Sequence, residues 1–257
     1  MSKDITPIVQ GWEFVPGEMQ VRIVRGDDGR EKLQVRIDLG LLQLEMEGRP
    51  DGERRGEADS LLDHLEARSR EAAARGEDFD LTPEQCAELM REGVQYYHRY
   101  LALFHLHRFD LVVRDTTRNL RLFAFVVRHA TRQRDRLLFD QYRPYVTMMR
   151  ARALGMQALE RGEHREALGH IDAGIEGILD FLRDYEQSDK EGENQELALL
   201  RAWRREIERD RPVGPIDRLE QQLEVAVALE NFEEAARLRD QIRRLRGPAA
   251  PGRPDAG

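Results

Sequence analysis

The sequence predicts a mainly α protein with a small N-terminal antiparallel β-sheet, and three observations carry that prediction. Apolar residues alternate at period two only between about residues 20 and 46. From residue 59 onward they recur at steps of three and four, the spacing that lines one side of a helix. Thr82-Pro83-Glu84-Gln85 supplies a helix start of high quality: a capping threonine, proline in the first turn and glutamine at the third position.

Taken in order, the first residues form a loose start, with Trp12, Phe14 and Val15 clustered to pack on the next segment. Val21 and Ile23 lie on one side of a strand over 20–25. Gly26-Asp27-Asp28-Gly29 is hairpin-turn chemistry. Leu33, Val35, Ile37 and Leu39 then alternate with polar residues, and Leu42, Leu44 and Met46 continue beyond Gly40 as a third strand. Residues 48–56 are loop by composition. A helix over 59–75 turns Leu61, Leu62, Leu65 and Ala72 inward. The helix opened by Thr82 runs to about Leu106, a turn at 107–109 comes after it, and the next helix reaches about Thr131. Pro144 reads as a helix start, because a residue before proline is biased away from helix. Two helices, 145–161 and 164–185, turn at Gly162-Glu163. Residues 188–194 read as a polar linker before a charged helix over 195–209.

Composition bounds the function. The chain has 257 residues, 35% of them charged, 7% aromatic, with a net charge of −8. That acidic balance argues against sequence-independent nucleic-acid binding, which needs a concentrated cationic face. The single cysteine, Cys86, excludes an intramolecular disulfide and fits a reducing compartment. The first residues lack an apolar leader, and no apolar run approaches the ~20 residues of a membrane span. A cytoplasmic protein with no membrane association is expected.

The stretch 215–246 is the most informative about use. Ile216, Leu219, Leu223 and Ala226, then Ala235, Leu238, Ile242 and Leu245, form two narrow apolar seams of coiled-coil type. Leu229-Glu230-Asn231-Phe232 makes the turn between them. Asn231 is placed to cap the second helix, with Glu234 at the reciprocal position of a capping box. Glu233 with Arg237, and Asp240 with Arg244, have favourable i,i+4 spacing. So short a hairpin buries too little apolar surface to offset its ordering entropy. It holds neither a cysteine pair nor a metal-ligand cluster. It is expected to dock on the body of the chain, a second copy or another protein.

These residues carry a resemblance. Leu219-x3-Leu223-x2-Ala226, followed by Glu230-Asn231-Phe232-Glu233-Glu234-Ala235-Ala236-Arg237-Leu238-Arg239-Asp240-x-Ile242-x2-Leu245, resembles the UVR motif. That motif is shared by the excision-repair proteins UvrB and UvrC and by the activator of the bacterial protein-arginine kinase. The resemblance implies a helical hairpin that mediates protein association, including self-association. The P-loop, helicase signature and nuclease constellation of the repair proteins are absent, as are the paired CxxC motifs of the kinase activator. The resemblance carries over a mode of binding, not a pathway.

Three turns look alike: those at Arg108-Phe109, Glu163-His164 and Asn231-Phe232. Each places a ring at the turn and small or branched residues three and four positions later, where two helices must approach closely. The first two also loosely resemble tetratricopeptide repeats, although their 55-residue spacing departs from that family's period. The body is therefore read as helical hairpins with tetratricopeptide-like packing, an arrangement that often presents peptide-binding surfaces.

Candidate chemistry is sparse. His98, His105 and His107, with Asp110 and Asp115, have metal-ligand residue types, but i,i+2 side chains diverge on a helix, and ordinary histidines around a helix end are expected. Glu84 with Glu88, and Glu191 with Glu193, read as solvated face. Cys86 near a helix N-terminus is weighed as an activated thiol and read as core. Tyr96, Tyr97, Tyr100, Phe104 and Phe109, interleaved with arginines, read as core rather than a base-stacking surface. The polar run 114–119 reads as a solvated helix face, with a ligand-facing stripe as the alternative.

The expected organisation is an N-terminal segment over 1–56, a helical-hairpin body over 57–209, the association hairpin over 216–246 and a disordered tail over 247–257. The expected function is a non-enzymatic bacterial adaptor or scaffold without cofactor or metal. It would self-associate or capture a protein partner through Leu219, Leu223, Phe232, Ala235, Leu238, Arg239, Ile242 and Leu245. The alternative is an accessory factor of nucleotide excision repair recruited through the same hairpin.

Overall fold

A computed structural model describes residues 4–54, 56, 58–210, 215–229 and 231–245. The expected tail, most of the predicted boundary at 210–215, and the side chains of Ile216 and Leu245 lie outside the described residues. The described chain is mainly helical, with one small sheet near the N-terminus. It divides into two compact units, residues 1–208 and 209–257.

The larger unit begins with a short helix, α1 (Thr6–Val9), where the sequence suggested only a loose start. Strands β1 (Val21–Arg25), β2 (Glu31–Ile37) and β3 (Gly40–Glu45) form an antiparallel sheet in that order. Its register pairs Ile23 with Leu33 and Leu33 with Leu44, and Gly29 takes the positive φ that the first turn needs. The sheet shares a core with the helices: Leu33, Leu44 and Met46 are buried in one cluster with Leu103, Val112 and Ile171.

Helix α2 (Leu61–Ala74) is capped by the Ser60 hydroxyl and buries Leu61, Leu62, Leu65 and Ala72, as the periodicity predicts. Helix α3 (Pro83–His105) carries the expected capping box. The Gln85 amide N–H donates to the Thr82 hydroxyl at 3.3 Å, and the Thr82 N–H donates to the Gln85 side chain at 2.9 Å. Helix α4 (Phe109–His129) comes next, then α5 (Gln133–Asp140), which the sequence reading passes over. Pro144 does open a helix, α6 (Arg143–Glu160), but Arg143 itself is its first residue. A helix start tolerates proline in its first turn, where the N–H it lacks would be unpaired anyway. Helix α7 (His164–Asp184) packs closely on α6. The expected linker is a 3-10 turn at Ser188–Glu193, ahead of α8 (Gln195–Asp210). The α6–α7 approach depends on small residues, since a Cβ added at Gly174 would collide with the Ala151 methyl.

One expectation is overturned. The run 114–119 is not a solvated face: Asp115, Thr116, Arg118 and Asn119 are all buried. Arg99 grips Asp115 bidentately, at 2.7 and 2.8 Å, and also donates to the Glu45 and Gly48 carbonyls. Arg114 donates to Asp115 and to the Met46 carbonyl. Glu92, fully buried, accepts from Arg118 and from the Leu61 and Leu62 amides. The Tyr96 ring lies under the guanidinium groups of both Arg99 and Arg118. These charges tie the loop after β3 and the N-terminus of α2 to the α3–α4 pair. A one-dimensional pattern shows that residues are polar but not that oppositely charged partners meet them from another helix.

Candidate interaction hairpin

The smaller unit contains α9 (Pro215–Ala228) and α10 (Phe232–Leu245). Ala226, Ala235 and Leu238 pack together along the predicted seam, with Leu219 and Leu223 partly buried against them. The Asn231 side chain caps α10 by accepting from the Glu234 amide at 3.2 Å. The capping box is one-sided, however. The Asn231 N–H donates to the Ala226 carbonyl at 2.8 Å, and the Glu234 carboxylate turns to Arg237 at 3.1 Å. Arg237 thus pairs one helical step nearer than the predicted Glu233. Asp240 pairs with Arg239, at 3.6 Å, rather than with the predicted Arg244. For Arg237, partners at i,i+3 and i,i+4 are both within reach on a helix surface, and spacing alone does not choose between them.

The likeness among the three turns is geometric as well as sequential. In each, an N–H bonds back five residues: Arg108 to Leu103, Glu163 to Ala158, Asn231 to Ala226, at 2.9, 2.8 and 2.8 Å. This is the long bond of a Schellman motif. In the first two turns the preceding residue, His107 or Gly162, has positive φ, and the next backbone angles agree within a degree: φ −89, ψ 63 at Arg108 and φ −90, ψ 64 at Glu163. The residue three positions after the ring is buried each time: Val112, Ala167 and Ala235.

The rings differ in their surroundings. Phe109 is only 2% exposed and stacks edge-on to Phe104, with Gln157 and Arg161 at the end of α6 beside it. Its counterpart Phe232 is 70% exposed. Leu106, two residues before the first turn's cap, packs on the main core, whereas the equivalent Leu229 is 74% exposed. Val225 and Val227 are also more than half exposed. An open groove of about 640 Å³ runs between the two helices here, with Ala226 and Leu238 inside, Val225 and Leu229 on the α9 side, and Glu234 and Arg237 on the α10 side.

The residues predicted for partner binding therefore occupy different places. Leu219, Leu223, Ala235 and Leu238 hold the two helices to each other, and Ile242 is buried. Phe232 and Arg239 face outward, and the side chain of Leu245 lies outside the described residues. The sequence reading missed Val225 and Leu229, which lie off the seam. Their four-residue spacing was available as a second apolar stripe ending at the turn, beyond which Phe232 opens the next helix.

The other candidate groups divide between core and surface. Cys86 is buried, and desolvation pushes its thiol up to about 11, the opposite of an activated nucleophile. Glu191 pairs with Arg201. His105 and His107 are exposed at the α3–α4 turn, while burial holds the His98 imidazole below its usual range. Tyr96, Tyr100 and Phe109 are core, whereas Tyr97 is partly open to solvent. Among the described residues no helix is long and apolar enough to cross a membrane, and no group of three metal-ligating side chains converges.

Residues 215–247 match the family model described as the UvrB/uvrC motif. No curated protein and no solved structure matches the chain. The C-terminal hairpin thus carries a protein-interaction motif.

Proposed function

We propose that this chain is a non-enzymatic cytoplasmic adaptor of a bacterial cell. Its C-terminal hairpin recruits a second copy or a helical segment of another protein. The observation that carries the reading is the contrast between two turns of the same geometry. The body buries Phe109 and packs the partly buried Leu106 on its core, while Phe232 is bare and Leu229 is bare at the edge of an open groove. In the body, the end of α6 lies beside the ring at the α3–α4 turn. A helix presenting apolar residues at i, i+3 and i+4 is therefore the natural cover at the α9–α10 turn. Glu234 and Arg237 at the groove's edge would set register rather than supply most of the affinity. Deletion of 216–246 tests the proposal by light scattering and by capture of bound proteins. A folded remainder that has lost assembly or a partner supports it. An unchanged assembly with every partner retained refutes it.

A second reading, an accessory factor in nucleotide excision repair, draws on the match of 215–247 to the UvrB/uvrC motif. Under it the captured helix belongs to a repair protein. Its test is whether the full chain binds a UVR hairpin of the excision complex and loses that binding with the same deletion.

A further inference from the structure

A cleft of about 530 Å³ opens in the helical body between α3, α4, α5 and α6, with the start of α8 at its edge. Four tyrosines line it: Tyr97 and Tyr100 from α3, Tyr142 just before α6, and Tyr145 within it. Leu122 and Phe139, both buried, add apolar wall. The size and the apolar lining suit ligand binding.

Two polar groups in the cleft lack partners. Tyr100 is only 1% exposed, and its hydroxyl, which makes no hydrogen bond among the described residues, is not one of their fully buried unpaired atoms and so is reached from the cleft. Desolvation keeps that hydroxyl protonated far above the ordinary phenol range, so it is available as a donor. Glu196 lines the same cleft from the first turn of α8, and it makes no ion pair or hydrogen bond among the described residues. Its half-buried carboxylate acts on Tyr145, so it offers a basic group in the cleft a negative charge beside aromatic faces.

The surface around the cleft is apolar and open. Val94, Tyr97 and Tyr142 are 37–46% exposed, and Leu199, one turn beyond Glu196 on α8, is 56% exposed. A small molecule filling the cleft would leave that rim bare. A peptide would cover both.

We infer that this cleft binds a short segment of a partner protein in which a lysine or arginine is flanked by apolar residues. The basic group meets Glu196 among the tyrosine rings, a backbone carbonyl of the segment accepts from Tyr100, and the apolar neighbours cover the rim. This site belongs to the larger unit, and the inference does not depend on the role of the terminal hairpin.

The test is selection of displayed dodecamer peptides on the full-length chain, then affinity measurement of the selected peptide. The expected outcome is a consensus with a basic residue between apolar ones. Binding is abolished by Val94→Arg at the exposed rim, weakened about tenfold or more by Glu196→Gln, and unchanged by Phe232→Ala. Equal affinity for the variant peptide with glutamine in place of the basic residue would overturn the inference. So would the absence of any consensus, insensitivity to the cleft substitutions, or a small molecule retained in the cleft of the purified protein. Loss with Phe232→Ala alone would place the peptide on the hairpin and refute the cleft. Val94→Arg and Glu196→Gln change exposed or unpaired groups. Unaltered thermal melts confirm that any loss is local.

Discussion

Replacing Phe232 with alanine separates association from folding. A phenylalanine side chain gains roughly 1.5–3 kcal/mol on complete burial. With 70% of Phe232 still bare, about 1–2 kcal/mol of that gain is left for a partner to realise. In a two-fold symmetric assembly the ring is used twice, for about 2–4 kcal/mol, because each subunit presents the same patch. Each 1.4 kcal/mol is tenfold, so the dimer dissociation constant should rise roughly 30- to 1000-fold. Capture of a different protein uses the ring once and should weaken roughly 5- to 30-fold. The fold itself should lose only the remaining share, about 0.5–1 kcal/mol, since less than a third of the residue is covered by its own chain. Light scattering across a dilution series, quantitative capture and a thermal melt read these quantities. An F232A protein with unchanged mass and unchanged capture would refute the reasoning. So would one whose melting temperature falls by many degrees, because the ring would then be part of the chain's own core.

The body and the cap give further expectations. Truncating Arg99 to alanine leaves the fully buried Asp115 with only its Arg114 contact and should cost up to about 3–5 kcal/mol in urea denaturation; pairing it with Asp115→Leu should recover part of that loss. Gly174→Ala should destabilise by about 1–3 kcal/mol despite alanine's better helix propensity, because the new methyl meets Ala151 across the α6–α7 contact; an unchanged melt would mean the helices yield freely. Asn231→Ala removes the α10 cap at a cost of about 1 kcal/mol, seen as faster amide exchange over 232–245 with the body unaffected. The Cys86 thiol is raised in the folded state to about 11, so the folded form favours the protonated thiol. The stability this contributes is complete below the unfolded thiol's pKa and declines as pH climbs from there through about 11. Native protein should resist thiol reagents at pH 8 and react once unfolded.

The sequence by itself determined the elements that local physical chemistry dictates. Thr82 to Gln85 can satisfy the first amides of a helix wherever that helix lies, so the start of α3 was legible. So was the inward face of α2, because Leu61, Leu62 and Leu65 leave no other side to bury. The antiparallel sheet and the seam of the terminal hairpin were legible from periodicity, and the likeness of the three turns proved to be one of backbone geometry. Tertiary structure alone decided which polar residues are solvated. Asp115 reads as part of a solvated face until Arg99 is brought against it, and the partner of buried Glu92, Arg118, comes from another helix. It also separated seam from surface in the hairpin, with Leu238 inward and Phe232 and Leu229 left open. The Tyr100–Glu196 cleft draws its two unpaired groups from positions 96 residues apart. Helical periodicity says that a side chain must be covered. What covers it, or leaves it bare, depends on contacts between segments distant in the chain.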